Sequence, residues 1–416
     1  MYCSHLSLTN FRNYARLELE LPTGATVVVG HNAQGKSNLL EAIYFLATSK
    51  SFRAGSDREV INWLAPEEET PFARLVARVQ RQHAAVRIEI VLKEEGMKVG
   101  GSNGVAPPAL AKRIKVNNVS RRAIDLVGQV NVVMFTPQDI GLVQGAPQLR
   151  RRYLDVTISQ VDSHYCRSLA HYNRVLVQRN HLLRQIRDRH GLPDQLVFWD
   201  EELVGAGSYI ALQRLETVAA LNDLIQGIHR KLTGSQERLR IGCHFSLDSA
   251  DGGGRLEELV AEAPRAASSH AKLEAIKDVF ARQLRHSQGR EILCGLSLTG
   301  PHRDDLVFIV DDRDMNVYGS RGQQRTVALS LKLAEAEFML QKAGEPPILL
   351  LDDVMSELDP PRRQHVLATV DASHQVIITT SDLYQFDRRF LSEANLFRVA
   401  NGSVEHMCPE AEVGIL

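Results

Sequence analysis

The chain has 416 residues, 44% of them hydrophobic and 24% charged, which is the balance of an ordinary globular protein of about two or three domains. Its 49 lysines and arginines nearly cancel its 50 acidic residues, so any nucleic-acid interface must be a local basic patch. Five scattered cysteines without CxxC spacing argue against a disulfide frame and a zinc site, and neither a signal peptide nor a membrane-spanning apolar run is visible. We therefore expect a cytoplasmic protein in a reducing compartment.

The first third of the chain has the alternation of apolar and polar residues that is typical of strands. Residues 14–21 place three leucines on one face and charged residues on the other, which predicts a half-buried strand. Residues 27–29 are a short valine run of the kind that is buried in a central sheet. Further strands are expected at residues 86–90, 113–116 and 130–135, and a loose hairpin tip at residues 96–108.

The pattern changes to helical periodicity between residues 149 and 290, with breaks at residues 191–193 and 251–254. This change predicts an inserted helical lobe, with a mobile loop at residues 250–270. We expect the insert to divide one α/β domain into two parts, residues 1–148 and residues 291–416. The elements expected after the insert are a strand at residues 306–310, a long helix at residues 323–342, and buried strands at residues 348–351 and 376–379.

Residues 30–37, Gly-His-Asn-Ala-Gln-Gly-Lys-Ser, match the phosphate-loop pattern G-x-x-x-x-G-K-[ST] at every fixed position. The glycines let the backbone curl so that its N–H groups and the following helix N-terminus face a phosphate. We expect Lys36 to reach the β- and γ-phosphate oxygens of ATP, and Ser37 to offer its hydroxyl to Mg²⁺. A chance glycine turn is the alternative, which the flanking strand and helix disfavour. The residues predicted to contact nucleotide here are Gly30, His31, Asn32, Ala33, Gln34, Gly35, Lys36, Ser37 and Asn38.

A second motif follows the predicted strand at residues 348–351, which ends in Asp352 and Asp353. A buried apolar strand that ends in a carboxylate places that charge beside the phosphate loop. We therefore expect Asp352 to hold Mg²⁺ and Asp353 to orient or deprotonate the attacking water. The alternative is a strand that leads into a solvated acidic turn.

A third motif, residues 318–325, resembles the signature of ABC-type ATPases, whose core is Ser-Gly-Gly-Gln. The resemblance implies that Ser320, Gly322 and Gln323 contact the nucleotide of a second copy, since a helix start with exposed N–H groups suits a γ-phosphate. Two copies would then enclose two ATP molecules as an ATP-dependent homodimer. Arg321 stands where transport ATPases have glycine, and an ordinary capped helix start is the alternative.

Three shorter segments fit the same class. Residues 356–359 resemble the D-loop that crosses the dimer seam, and residues 379–382 occupy the place of the switch histidine of transport ATPases. Because threonine or serine stands there, the predicted γ-phosphate contact is a neutral hydroxyl. Gln138 is the candidate for the glutamine that senses Mg²⁺ and the water, with a solvated turn glutamine as the alternative.

The order of these motifs resembles the bacterial RecF family from end to end. The residues that carry the resemblance are 8–14, 32, 38–42, 50–53, 145–147, 151–155, 299–305 and 322–330. The resemblance implies an α/β fold: an ABC-type ATPase head like that of SMC proteins, with a phosphate-loop core, an antiparallel β subdomain and the inserted helical lobe. It implies ATP-dependent binding of double-stranded and gapped DNA in repair and replication restart. It also implies weak DNA-stimulated hydrolysis that resets binding, and partnership with RecR and RecO in loading RecA.

The segment from residue 150 to residue 189 is a candidate DNA surface. Its arginines outnumber its aspartates by nine to three, which suits a surface that follows phosphates. The alternative is that these arginines are solvated or pack internally. The arginines are Arg150, Arg151, Arg152, Arg167, Arg174, Arg179, Arg184, Arg187 and Arg189.

Three other functions remain open from the residues alone. A transport ATPase coupled to a membrane partner is disfavoured because the switch histidine is missing and the insert is large. A long-armed SMC-like protein is disfavoured because about 280 residues separate Ser37 from Ser320 and much of that length builds the head. A nucleotide-gated interaction protein with negligible hydrolysis is the third, because Asp353 is shorter by one methylene than the glutamate that is usual there.

Overall fold

A computed structural model of the chain describes residues 1–63, 71–94, 110–248, 256, 258, 269–371 and 374–407. The predicted hairpin tip at residues 96–108 lies outside the described residues. So does the predicted mobile loop at residues 250–270, except for residues 256, 258, 269 and 270. The chain divides into two compact units, Met1–Asp139 with Glu335–Leu416, and Ile140–Ala334.

The described residues form strands mainly towards the two ends of the chain and long helices mainly between them. The strands are β1 (Tyr2–Phe11), β2 (Tyr14–Glu20), β3 (Gly24–Val29), β4 (Phe72–Gln80), β5 (Ala85–Glu94), β6 (Leu110–Val116), β7 (Val119–Arg121), β8 (Val132–Phe135), β9 (Leu239–His244), β10 (Asp305–Val310), β11 (Arg313–Asp314), β12 (Ile348–Asp352), β13 (Gln375–Thr380), β14 (Asn395–Ala400) and β15 (Ser403–His406). The helices are α1 (Lys36–Thr48), α2 (Ala123–Leu126), α3 (Gly141–Gln144), α4 (Pro147–Val161), α5 (Ser163–Arg187), α6 (Leu196–Leu232), α7 (Ser269–Cys294), α8 (Met315–Tyr318), α9 (Arg321–Ala343), α10 (Pro360–Asp371) and α11 (Arg388–Glu393).

The central sheet of the first unit has the strand order β15-β14-β3-β13-β12-β8. Its strands pair in parallel except β15, which is an antiparallel edge. The valine run of β3 and the apolar runs of β12 and β13 are buried, as their composition predicts. Because parallel strands end at the same edge, the segments that follow β3, β12, β13 and β8 meet there.

A second sheet of the first unit is antiparallel, with the order β2-β1-β4-β5-β6-β7. The predicted alternation in residues 14–21 is confirmed, since Leu17 and Leu19 of β2 lie opposite Leu8 and Leu6 of β1. These leucines belong to one hydrophobic core with α1 and the central sheet. The antiparallel subdomain therefore packs against the helix that follows the phosphate loop.

The second unit is mainly helical, and it also contains the antiparallel sheet β11-β10-β9. The prediction of a helical lobe does not extend to β9, where buried Leu239, Ile241 and Cys243 alternate with more exposed residues. The predicted insert is residues 149–290, and the compact unit Ile140–Ala334 also contains β10, which pairs with β9. Within the described part of the chain, no helix has both the length and the apolar character of a membrane span.

The second unit has a polar core around Arg214, whose side chain is 2% exposed. Its guanidinium donates to Asp155 at 2.8 Å and to Asp304 at 2.9 Å, and its Nε donates to the Tyr165 hydroxyl at 3.1 Å. Burial raises the pKa of the Asp304 carboxyl to about 6, although Arg214 opposes this shift. The Gly-Pro-His-Arg-Asp-Asp landmark at residues 300–305 thus builds the interior of this unit.

The predicted basic segment is partly internal. Arg150 is buried and forms a bidentate pair with Asp305 at 2.6 and 2.8 Å. Arg179 is fully buried and pairs with Asp200 at 2.6 Å and with Glu291 at 2.7 Å. The count of nine arginines therefore overstates the surface charge. The arginines of this segment that are exposed are Arg152, Arg167, Arg174, Arg184, Arg187 and Arg189.

Replacing Arg214 with methionine should destabilise the second unit, because Asp155 and Asp304 would lose their counter-charge in a largely buried site. We expect a loss of about 3–5 kcal/mol in the free energy of unfolding, measured by urea denaturation with circular dichroism. Arg240→Met is the matched control, since Arg240 pairs with Asp312 at the surface, where ion pairs contribute at most about 1 kcal/mol. Equal losses in the two variants would contradict a special role for the buried pairs.

Candidate nucleotide-binding site

The predicted phosphate loop connects β3 to α1, with Lys36 as the first residue of the helix. Gly35 has a left-handed φ of 118°, and a Cβ there would lie 2.6 Å from Asn13 Nδ2. A Cβ at Gly30 would lie 2.4 Å from the carbonyl oxygen of Val399 on the neighbouring strand β14. A backbone contact therefore requires glycine at position 30, and the left-handed φ favours glycine at position 35.

Polar side chains outside the loop hold its backbone in place. Asn13 Nδ2 donates to the Gln34 carbonyl at 2.8 Å, and the Tyr14 hydroxyl donates to the Gly35 carbonyl at 3.0 Å. Asn38, predicted to contact nucleotide, donates to Asn13 Oδ1 at 2.6 Å and so supports the loop. The Gln34 side chain accepts from the backbone N–H of Asn401, between β14 and β15. The loop residues whose side chains are exposed are His31, Asn32 and Ala33.

Lys36 is buried, and its Nζ points back into the loop. It donates to the carbonyl oxygens of Gly30 at 2.6 Å and His31 at 2.9 Å. Burial lowers the pKa of the ammonium, while the carboxylates of Asp353 and Asp352 oppose that shift. An ammonium held this way fits a phosphate, whose charged oxygens are stronger acceptors than two carbonyls.

Asp352 ends β12 at the shared edge of the central sheet. Its Oδ1 accepts from the Ser37 hydroxyl at 2.7 Å and from the Thr379 hydroxyl at 2.8 Å. The structure therefore brings Ser37 and Asp352 together across the chain. A hydroxyl beside a carboxylate is a donor set that suits Mg²⁺, which takes hard oxygen ligands and few protein groups.

Asp353 follows with a left-handed φ of 52°, and its N–H donates to the carbonyl oxygen and the hydroxyl of Thr379 at 3.2 and 3.1 Å. Its Oδ1 is buried and has no hydrogen-bond partner among the described residues. Burial raises the pKa of this carboxyl; Lys36 opposes the shift and Asp352 adds to it. An acceptor with a raised pKa next to a phosphate loop is suited to receive a proton from water.

The remaining predicted residues of this edge differ in exposure. Gln138 is exposed in a short 3₁₀ turn after β8, the neighbour of β12. Thr379 and Thr380 are buried, and the Thr380 hydroxyl donates to the Asp382 carbonyl at 2.7 Å. Of the predicted neutral hydroxyls in residues 379–382, the exposed one is that of Ser381.

The signature segment belongs to the second unit, at the start of α9. Ser320 and Gln323 form a capping box: Ser320 Oγ accepts from the Gln323 N–H at 3.2 Å, and Gln323 Oε1 accepts from the Ser320 N–H at 3.1 Å. Ser320 and Gly322 are exposed, and a Cβ at Gly322 would meet nothing within 4 Å. This helix start has the open approach that an anion requires.

Sequence reasoning did not assign a role to Glu41, which is fully buried in α1. Its carboxylate accepts two hydrogen bonds from Arg12, at 2.7 and 2.9 Å, and two from Arg53, at 2.8 and 3.0 Å. Burial favours the neutral acid, but the hydrogen bonds from these arginines outweigh it and lower the pKa of Glu41. All three residues lie in the segments that carry the family resemblance, and their opposite charges are the sequence signal that could have indicated this cluster. The cluster anchors α1 behind the loop.

Asp353→Asn should raise the melting temperature of the nucleotide-free protein at pH 8. A raised carboxyl pKa means that the folded state favours the neutral acid, so the ionised form opposes folding above that pKa. The gain should shrink as the pH falls through the raised pKa towards 3.8, the ordinary value. Differential scanning fluorimetry at several pH values measures it. Asp223→Asn, at an exposed position of α6, should change nothing; a lower melting temperature for Asp353→Asn at pH 8 would contradict the assignment.

Comparisons with known proteins extend this geometry to a family. The protein-family model described as "RecF/RecN/SMC N terminal domain" matches residues 2–401 of this chain. The DNA replication and repair protein RecF of Chloroflexus aurantiacus is 42% identical over 418 residues, covering 97% of this chain and 99% of that relative. A solved structure of the recombination mediator protein RecF-ATP in the RecFOR pathway is 30% identical, covers 98% of both chains and has a TM-score of 0.80.

A more distant solved structure shows the fold alone. The SmcHead bound to the C-winged helix domain of ScpA is 15% identical, with a TM-score of 0.51, and covers 100% of this chain and 99% of that one. The predicted ABC-type head fold is therefore confirmed. Because the family model matches residues 2–401 and the alignment with the 42% identical relative covers 97% of this chain, this chain belongs to the RecF family.

Proposed function

We propose that this chain is an ATP-dependent DNA-binding protein of DNA replication and recombinational repair, in which two copies close on two ATP molecules. The observation that carries the proposal is the division of parts: the loop and carboxylates lie in one compact unit, and the exposed Ser320 tip belongs to the other. Relatives named as DNA replication and repair proteins favour DNA over the alternative of a membrane-coupled ATPase.

ATP binding rests on the loop that Gly30 and Gly35 permit and on Lys36, and a related chain has been solved as RecF-ATP. Ser37 and Asp352 would hold Mg²⁺, with Gln138 as a further proposed contact at the same sheet edge. The ion would neutralise charge between the β- and γ-phosphates.

Hydrolysis is assigned to Asp353, because its Oδ1 has no hydrogen-bond partner among the described residues and is available to orient the attacking water and accept its proton. The short side chain limits its reach, so we expect slow turnover that ends each binding cycle. The γ-phosphate contact across the dimer is assigned to Ser320, Gly322 and Gln323 of the second copy, where a hydroxyl and a helix N-terminus face outward.

The DNA contact is assigned to α5, which contains no acidic residue in its 25 positions. At 1.5 Å per residue the helix is about 37 Å long, close to one turn of duplex DNA. Exposed Arg167 and Arg174 lie seven residues apart and so on one face. By resemblance, the substrate is double-stranded DNA with a gap, the hydrolysis is weak and DNA-stimulated, and the partners are RecR and RecO, which load RecA.

Sedimentation velocity should detect a dimer with ATP, and monomer with ADP or without nucleotide.

Asp353→Asn should bind ATP but hydrolyse it about 100-fold more slowly, so its dimer on gapped duplex should live longer. Lys36→Arg should retain weak nucleotide binding and lose turnover. A chain that stays monomeric with saturating ATP and DNA, also as Asp353→Asn, contradicts the proposal. A shorter-lived complex of Asp353→Asn contradicts its assigned role.

The double variant Arg167→Ala with Arg174→Ala should weaken binding to a gapped duplex and flatten its salt dependence by about two units of logarithmic slope. Fluorescence anisotropy across a salt series measures both effects. Arg388→Ala with Arg389→Ala is the matched control, a pair of exposed arginines in α11 of the first unit. If the control variant loses as much affinity, α5 is not the contact surface although DNA binding stands.

A further inference from the structure

Glu237, in the segment between α6 and β9, contacts the signature motif of the same copy. Its Oε1 accepts from Gln323 Nε2 at 2.9 Å. Its Oε2 lies 3.2 Å from His229 Nε2, near the carboxyl end of α6. The carboxylate thus bridges the signature glutamine and the end of the longest helix of the described residues.

His229 gives the same helix a second attachment. Its imidazole is fully buried, and Nδ1 lies 2.9 Å from Ser330 Oγ. Gln323 and Ser330 are seven residues apart on α9, which is two helical turns, so both contacts fall on one face. Glu237 and His229 therefore hold the first turns of the signature helix at two points along one side.

The contact with Glu237 decides the orientation of the Gln323 amide. A carboxylate accepts hydrogen bonds only, so the NH₂ end of the amide must face Glu237. The carbonyl end, Oε1, is then free to accept from the Ser320 N–H and complete the capping box. An amide turned the other way would bring its NH₂ against that N–H and open the helix start. The carboxylate thereby keeps Ser320 in the capped geometry.

We propose that Glu237 is a positioning residue for the signature motif, orienting Gln323 so that the Ser320 helix start is ordered before it meets the partner's triphosphate. Glu237 itself does not touch nucleotide in this proposal. The inference rests on the proposed function, since it assumes that this helix start binds the γ-phosphate of the second copy. It adds a residue outside the motif, 86 positions away from Gln323 in the chain.

The test compares Glu237→Ala with Glu237→Gln in the full chain. The glutamine variant keeps an oxygen that accepts from Gln323 Nε2, whereas the alanine variant has no acceptor there. Hydrogen exchange of the nucleotide-free monomer, read by mass spectrometry on peptides covering residues 318–325, reports the order of the helix start. We expect about tenfold faster exchange for Glu237→Ala and little change for Glu237→Gln.

Sedimentation with ATP and equilibrium binding of a fluorescent ATP analogue separate the two levels of the proposal. Glu237→Ala should raise the dimer dissociation constant about tenfold while the monomer's affinity for the analogue stays unchanged, and Glu237→Gln should restore dimerisation. Unchanged exchange in Glu237→Ala, or equal defects in both variants, would overturn the role of Glu237. If the unmodified chain fails to dimerise with ATP, the proposed function fails, and the exchange data still decide whether Glu237 orders the motif.

Discussion

One oxygen atom joins the parts of the candidate site that are farthest apart in sequence. Asp352 Oδ1 accepts from Ser37 and from Thr379, which are 315 and 27 positions away. This convergence follows from the parallel strand order, in which β13 lies between β3 and β12. A carboxylate there requires both hydroxyls as donors, and each strand must end in register for them to reach it. One sheet edge therefore brings the phosphate loop and the carboxylate of Asp352 together.

The parts of the fold that the sequence predicts are those with a local cause. The valine run of β3 and the alternation of β2 each act within a few residues, and the structure agrees with them. The strand β9 escaped prediction because it is short and follows a long helix, and its partner β10 lies some 60 residues later. The compact unit that contains β9 and β10 runs from Ile140 to Ala334, whereas the insert predicted from helical periodicity is residues 149–290.

A count of charged residues likewise does not show which partners they meet, either in the candidate site or in the helical unit. A count of arginines does not distinguish Arg174, which is exposed, from Arg179, which is enclosed by two carboxylates. Nor does a motif reveal that Asn38 serves the loop from outside, or that the Thr379 hydroxyl is already engaged by Asp352. Such roles depend on partners that are remote in the chain, and a single sequence contains no record of which residues meet.

The backbone conformation at Asp353 bears on the rate of hydrolysis in the proposed cycle. A left-handed φ of 52° is adopted most readily, among residues other than glycine, by aspartate and asparagine. The turn that lets its N–H reach Thr379 is therefore one that aspartate adopts readily. In the proposed cycle, the short carboxylate of Asp353 seldom activates a water molecule. The lifetime of the ATP-bound dimer on DNA is then set by this slow hydrolysis.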